Sequence, residues 1–481
     1  THALCCESGS KSGSMNGVGA SVWTSLDSAS SLPESKPPGR CGHVAVSSRD
    51  GQSLIVIGGY NPEGILSDAW EFHLERREWD RVNLATGPSP PERAYFRGCG
   101  GPPPVGVEQQ QHEEGGEGAF AYIFGGSDAD GNASNELWCL DAENRTWHEV
   151  PREQGLQPCA RSNHSMCRAG QFLAVHGGES SSGSLLDDLW FFHPASTSWR
   201  EAGDGVSSPA TAGPRPRHRS SHCLAFAQER SAEGSAAGAP WGSLVLFGGL
   251  GRADGYGGDS DGDGGDDEEE DGEEQETMPL NDLWVFSPVR DGSGGPSPAP
   301  RASGAGDSGA GGSICPSGGE WSLVMLDGVG PSPRSLAAIV SPRRSYGGIG
   351  GGGGGDDVFL FVGYGLVEIP TGGGGGGMAD GGDGEGEEEE EEGGEIIMAY
   401  IDDLWRLSYG AGGRSANATL GTEWADEADM GFPGESIVEG RNGHTLTWCG
   451  DKLVLFGGFV GDGFDAGVHV ARPPSSSLAL D

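Results

Sequence analysis

The sequence predicts an all-β protein built from six repeats of a short four-stranded unit. Three observations carry this expectation: a composition poor in apolar residues, apolar runs that close on paired glycines, and tryptophans at fixed offsets behind them. The 481 residues include 90 Gly and 30 Pro, and only 35% are hydrophobic. That balance is hostile to helix interiors and spreads a modest apolar supply over much backbone, which suits thin strands.

The runs end at Gly58-Gly59, Gly125-Gly126, Gly177-Gly178, Gly248-Gly249 and Gly457-Gly458, with a degenerate version at Gly363-Tyr364-Gly365. An acidic-Leu/Ala-Trp step follows five of the six, at Asp68-Ala69-Trp70, Glu136-Leu137-Trp138, Asp188-Leu189-Trp190, Asp282-Leu283-Trp284 and Asp403-Leu404-Trp405. A second tryptophan comes later, at Trp79, Trp147, Trp199, Trp321 and Trp424. Ahead of each run stands Arg-x-x-His or a relative of it, opening at Arg40, Arg93, Arg161, Arg219, Arg334 and Arg441. His43, His164, His222 and His444 fill the fourth place, and Phe96 and Ala337 replace them in two units.

The intervals separate register from decoration. First glycine to first tryptophan is 12, 13 and 13 residues in units one to three, then 36 and 42; first to second tryptophan is 9, 9 and 9, then 37 and 19. The excess is Gly, Ser, Pro and acid, a composition that cannot bury enough apolar surface to order itself. Four strands per unit (a after the arginine, b ending in the glycines, c and d through the two tryptophans) form the pattern of a propeller blade. Unit six lacks a tryptophan after Gly458, and the segment around Trp23 is its expected d strand, which would close the ring and remove an open sheet edge.

On these residues the chain resembles the kelch-repeat family, from about residue 20 to its end; the departures are the degenerate fifth glycine pair, Phe96 and Ala337, and the insertions. The resemblance implies a six-bladed kelch-type β-propeller over 21–472, closed by the N-terminal strand. Insertions at about 254–276 and 371–395 and tails at 1–20 and 473–481 are expected to be disordered. It also implies a non-catalytic interaction platform presenting loops to a protein or peptide partner. Two alternatives stay open: a propeller enzyme similar to galactose oxidase, and a substrate receptor of a ubiquitin ligase. Tyrosines scattered along strands speak against the first, and the lack of a visible BTB or F-box segment in these residues speaks against the second.

Acids outnumber bases 72 to 29, for a net charge of −43. A surface of that sign repels nucleic acid and anionic lipid. No apolar run approaches the 18 residues of a membrane-spanning helix. Ten cysteines are too dilute for a disulfide scaffold, which points to the cytoplasm or nucleus. The stretches 254–276 and 380–395 hold 13 and 10 acids and no base. They are expected to share a face with the loops entering strand a and to compete with an acidic partner there.

No catalytic residue, metal or cofactor is expected. The glycine pairs open no helix, so they read as tight backbone, not as phosphate loops. The repeated tryptophans and histidines read as packing and hydrogen bonding, because a single site needs its residues once. A ring of guanidiniums suits carboxylates, so Arg161, Arg219, Arg334 and Arg441 are candidate contacts for an acidic or C-terminal segment. Arg215 and Arg217, which lie outside the repeat, are stronger candidates.

Overall fold

The computed structural model describes residues 23–26, 35–104, 120–151, 156–202, 214–227, 242–252, 277–288, 319–324, 331–341, 357–369, 395–409, 422–426 and 438–471. Both acidic stretches, apart from Glu395, fall outside these residues, as do both tails. Every regular element named below is a strand, paired antiparallel.

Each repeat becomes one sheet with strands in the order a-b-c-d. The first blade is Val44–Ser47, Ser53–Asn61, Gly64–His73 and Glu78–Arg81. In the second, Arg97–Gly101, Phe120–Phe124, Leu137–Asp141 and Thr146–Glu149 follow the same order. The third runs from Ser165–Ala169 through Phe172–Ser180 and Leu185–His193 to Ser198–Glu201. The fourth is Cys223–Ala227, Ser243–Phe247, Leu283–Pro288 and Gly319–Val324. Ala338–Val340, Asp357–Ile369, Glu395–Tyr409 and Thr422–Asp426 make the fifth. Glu395, assigned to an insertion on sequence grounds, therefore opens a strand.

The sixth sheet holds Thr445–Cys449, Lys452–Phe456 and Val468–Ala471, and its outer strand is Thr24–Ser25 from the other end of the chain. Thr24 pairs with Val470, and Ser25 with His469. The inner strands neighbour one another in cyclic order, the sixth lying against both the fifth and the first.

Strand b is buried along nearly its whole length, as in Ser53–Asn61 and Phe172–Ser180, because both of its faces meet other blades. The second tryptophan of a repeat supplies much of that cover. Trp79 packs on Phe72 of its own blade and Phe456 of the sixth, with ring centroids 5.0 and 5.1 Å apart. Trp199 likewise spans Phe192 and Phe124, and Trp321 spans Phe286 and His176. Trp147 shares a cluster with Val46 and Ile55 of the preceding blade. Trp405 and Trp424 lie in the fifth blade's strands. Since Trp79 is 8% exposed and joins two blades, Trp79→Ala should cost about 3–5 kcal/mol in urea unfolding, without abolishing the fold.

Candidate functional site

In the first four repeats the three sequence signals meet in one hydrogen-bond network. In the third blade Arg161, at the entry to strand a, donates from both terminal nitrogens to Asp188 at 2.6 and 2.7 Å, and also to the Gly177 carbonyl at 3.0 Å. Asp188 further accepts the indole N–H of Trp190 at 2.7 Å. Arg40, Asp68, Gly58 and Trp70 repeat this arrangement, as do Arg219, Asp282, Gly248 and Trp284. The second blade uses Glu136 for the acid, between Arg93 and Trp138. In the sixth, Arg441 pairs with Asp465 at 2.5 Å, and His469 stands where a tryptophan otherwise would. Burial alone would raise the Asp188 carboxyl; hydrogen bonds and charge from Arg161, with help from Trp190, hold it below the ordinary value. Asp68 and Asp282 are lowered in the same way.

The glycine pair exists for the adjoining backbone. Gly177 and Gly178 have φ of +57° and +101°, and a β-carbon there would stand 2.9 Å from the Arg219 carbonyl and 2.6 Å from the Ser162 carbonyl. The Gly178 amide donates to the Arg219 carbonyl at 2.9 Å, which ties the third blade to the fourth. Gly458 to Arg40 is the same link from the sixth blade to the first.

This network corrects the expectation that the repeat arginines reach a ligand. Arg161, Arg219 and Arg334 are 0% exposed and Arg441 is 3%; the guanidiniums of Arg161, Arg219 and Arg441 point into their own blades because an acid and a carbonyl await them there, and that of Arg334 donates to the Ser332 hydroxyl. Arg215 and Arg217 are exposed. Arg215 lies 3.4 Å from Asp187 and His218 3.5 Å from the same carboxylate. Asp187 belongs to a b–c hairpin, so hairpin and strand-a entry do share a face.

A cation that the repeat pattern does not include stands near the axis. Arg97 is the fifth residue of its motif, where the other units have Val44, Ser165, Cys223, Ala338 and Thr445. It influences His43 and Cys41 in the first blade, His164 in the third and Cys223 in the fourth. Arg97 opens the second blade's inner strand, which lies against the inner strands of the first and third blades. The clue in the sequence was one long charged residue at an otherwise small position.

Comparison with known proteins agrees with this architecture. A family model described as the KLHDC2/KLHL20/DRC7 Kelch-repeats domain matches residues 116–361, just over half of the chain. The chain belongs to the kelch-repeat family. Human host cell factor 2 is 28% identical over 222 residues, which are 44% of this chain and 25% of that protein. The mouse Rab9 effector protein with kelch motifs is 27% identical over 203 residues, 40% of this chain and 47% of the relative. This kelch chain thus spans less than half the length of either. A solved structure titled "Structure of YjhT" aligns at 10% identity with a TM-score of 0.45, covering 91% of this chain and 95% of the other.

The kelch histidines are inter-blade packing groups. His43 bonds Thr445 of the sixth blade at 2.9 Å, and His222 bonds His176 of the third at 3.0 Å. His164 departs from the expected hydrogen bonding: neither ring nitrogen has a partner among the described residues, and its ring meets the Phe124 edge at 5.3 Å. Among the described residues no group of three His, Cys, Asp or Glu side chains is arranged to hold a metal, and no helix is long and apolar enough to cross a membrane. Burial, reinforced by nearby arginines, holds His43, His164 and His222 well below 6.5 and His176 at about 3.

The unfolded chain therefore binds protons below pH 6.5 that the folded chain refuses, and stability falls as pH drops. Each such histidine costs up to about 1.4 kcal/mol per pH unit in that window. The melting temperature should be level above pH 7 and decline steadily toward pH 5. His164→Phe, which copies Phe96 in the second blade, should fold normally and flatten that decline.

Proposed function

We propose that this kelch protein is a non-catalytic platform whose b–c hairpins and strand-a entry loops hold a protein partner. One observation carries the reading: the repeated arginines, acids, tryptophans and histidines are turned inward to one another, which leaves the variable loops of one face to present chemistry. A rigid scaffold with functional loops is how recognition is commonly built. One relative is by its name a Rab9 effector, a designation that fits a binding role. We place the protein in the cytoplasm or nucleus and assign it a partner segment that is acidic or ends in a free carboxylate, recognised through Arg215 and Arg217, whose forked donors suit that group.

Proximity labelling in cells, followed by binding measurements on the identified partner, tests this. Arg215→Ala with Arg217→Ala should weaken binding about tenfold and leave the melting temperature unchanged. Wild-type affinity in that variant would move the surface elsewhere. Stoichiometric copper in the purified protein would favour the oxidase-like alternative instead, and co-purification with a ubiquitin-ligase adaptor would narrow the platform to a substrate receptor.

A further inference from the structure

Six aromatic rings form a continuous crescent on the face where the glycine pairs end. Tyr95, Tyr60, Phe464, Phe459, Tyr400 and Tyr364 follow one another with centroid separations of 5.0, 5.7, 5.2, 6.0 and 5.0 Å. They come from the second, first, sixth and fifth blades. Tyr60 and Phe459 directly follow their glycine pairs, at a place where the second, third and fourth blades have Ser127, Glu179 and Leu250. The six rings are partly exposed, and none belongs to a hydrophobic core cluster. They are thus aromatic surface on one side of the ring only, of the kind that marks interaction sites.

The crescent ends beside the axial cation. Tyr95 and Tyr60 both lie within electrostatic reach of Arg97. Among the described residues this guanidinium makes one long hydrogen bond, 3.4 Å, to the carbonyl of its neighbour Phe96, and no carboxylate lies within 4 Å of it. Its thiol neighbours do not neutralise it: burial pushes Cys41 and Cys223 up to about 12, so both stay protonated at neutral pH. Partly exposed and otherwise surrounded by protein, Arg97 is a charge awaiting an anion in a place where an ion pair is weakly screened.

Backbone conformation adds an independent sign. The third residue of every motif is left-handed, with φ of +62° at Gly42, +59° at Tyr95, +52° at Asn163, +54° at Ser221 and Leu336, and +62° at Gly443. These residues join in a collar: the Leu336 amide donates to Ser221, Ser221 to Asn163, Asn163 to Tyr95, and Gly42 to Gly443. Glycine or asparagine suits such a position. A tyrosine there costs on the order of 1–2 kcal/mol, strain that persists where a side chain has a task.

We propose that the aromatic crescent and Arg97 together form the docking groove for an extended segment of a partner protein, which places a glutamate or aspartate side chain on Arg97 and apolar or proline residues along the rings. The crescent spans four blades, so it accommodates a chain that continues past the carboxylate; a side chain in mid-segment, and not a chain end, is the group received. This rests on the platform reading above but locates recognition at the axis, away from Arg215 and Arg217.

The test uses the full chain and two libraries of acetylated, amidated nonapeptides, with flanks drawn from Pro, Leu, Phe, Trp, Tyr and Gly around a central Glu in one and a central Gln in the other. Selection should enrich the Glu library, and the best peptide should lose at least tenfold in affinity on Arg97→Ser and at least fivefold on Tyr60→Ser or Phe459→Ser. Each replacement copies a residue that another blade carries at the same position (Ser165 for the first, Ser127 for the others), so the fold should survive; equal melting temperatures check this. Arg215→Ala with Arg217→Ala should leave the peptide's affinity unchanged. Equal enrichment of the Gln library, or equally tight binding of a peptide whose only carboxylate is its C-terminus, overturns the proposal. If the Glu library fails while a cellular partner binds through Arg215 and Arg217, this groove is wrong and the platform stands. If neither the libraries nor any partner binds, both fall.

Discussion

Asp188→Ala should remove about 3–5 kcal/mol of stability, read as a lower denaturant midpoint. The reason is what it leaves behind. Arg161 is 0% exposed, and Asp188 meets two of its terminal nitrogens. Truncating the acid strands a charge with no water to turn to, and breaking a buried pair from one side is far costlier than the pair's net worth. The Trp190 indole loses its acceptor in the same step. Against a typical total of about 5–15 kcal/mol, the loss is a fifth or more. Asp188→Asn keeps the shape and one acceptor, so it should cost less. Arg161→Met combined with Asp188→Leu should recover part of the loss, because it removes the stranded charge; a double variant as unstable as Asp188→Ala would show that the carbonyl bonds of Arg161, not its charge, hold the blade.

Deleting residues 1–30 should lower the melting temperature substantially and make the protein prone to self-association. Trp23 is 3% exposed, packed among Val438, Leu446, Leu453, Leu455 and Ala471 of the sixth blade and Ala338 and Val340 of the fifth. Leu26 joins the cluster between the sixth blade and the first, and its amide donates to the Val468 carbonyl at 2.8 Å. Losing Trp23 alone is worth about 3–5 kcal/mol. The deletion also bares the strand Val468–Ala471 as an unpaired edge, a template for another chain. Trp23→Ala separates the two effects, since it removes the packing while the strand pairing stays. An unchanged melt after the deletion would mean that Thr24–Ser25 contributes nothing to the ring.

Much of the scaffold was legible because a repeat repeats its reasons. Glycine pairs, tryptophans and strand-a motifs recur at fixed spacing, and the structure gives each recurrence the same job: Trp79, Trp199 and Trp321 each span their own blade and the one before. The arginines were harder. Their recurrence was visible, and so was that of the acids before the first tryptophans, yet nothing in a linear sequence says that residues 27 apart, as Arg161 and Asp188 are, meet across a sheet. Asp465 was missed altogether, since its repeat lacks the tryptophan that flags the others.

By itself, the sequence determined the all-β class, the repeat and its strand pattern, and the segment that pairs with the last sheet, because these follow from local spacing and from the need to bury one apolar face per strand. Only the tertiary structure decided which charges are structural and which are available. An arginine's role depends on whether a carboxylate lies within reach in three dimensions: Arg161 has Asp188, whereas Arg97, alike in chemistry, has none among the described residues. The crescent of Tyr95, Tyr60, Phe464, Phe459, Tyr400 and Tyr364 was likewise invisible in order of residue number, since its neighbours are up to 404 positions apart, as with Tyr60 and Phe464. Convergence of separate blades on one axis made it a surface.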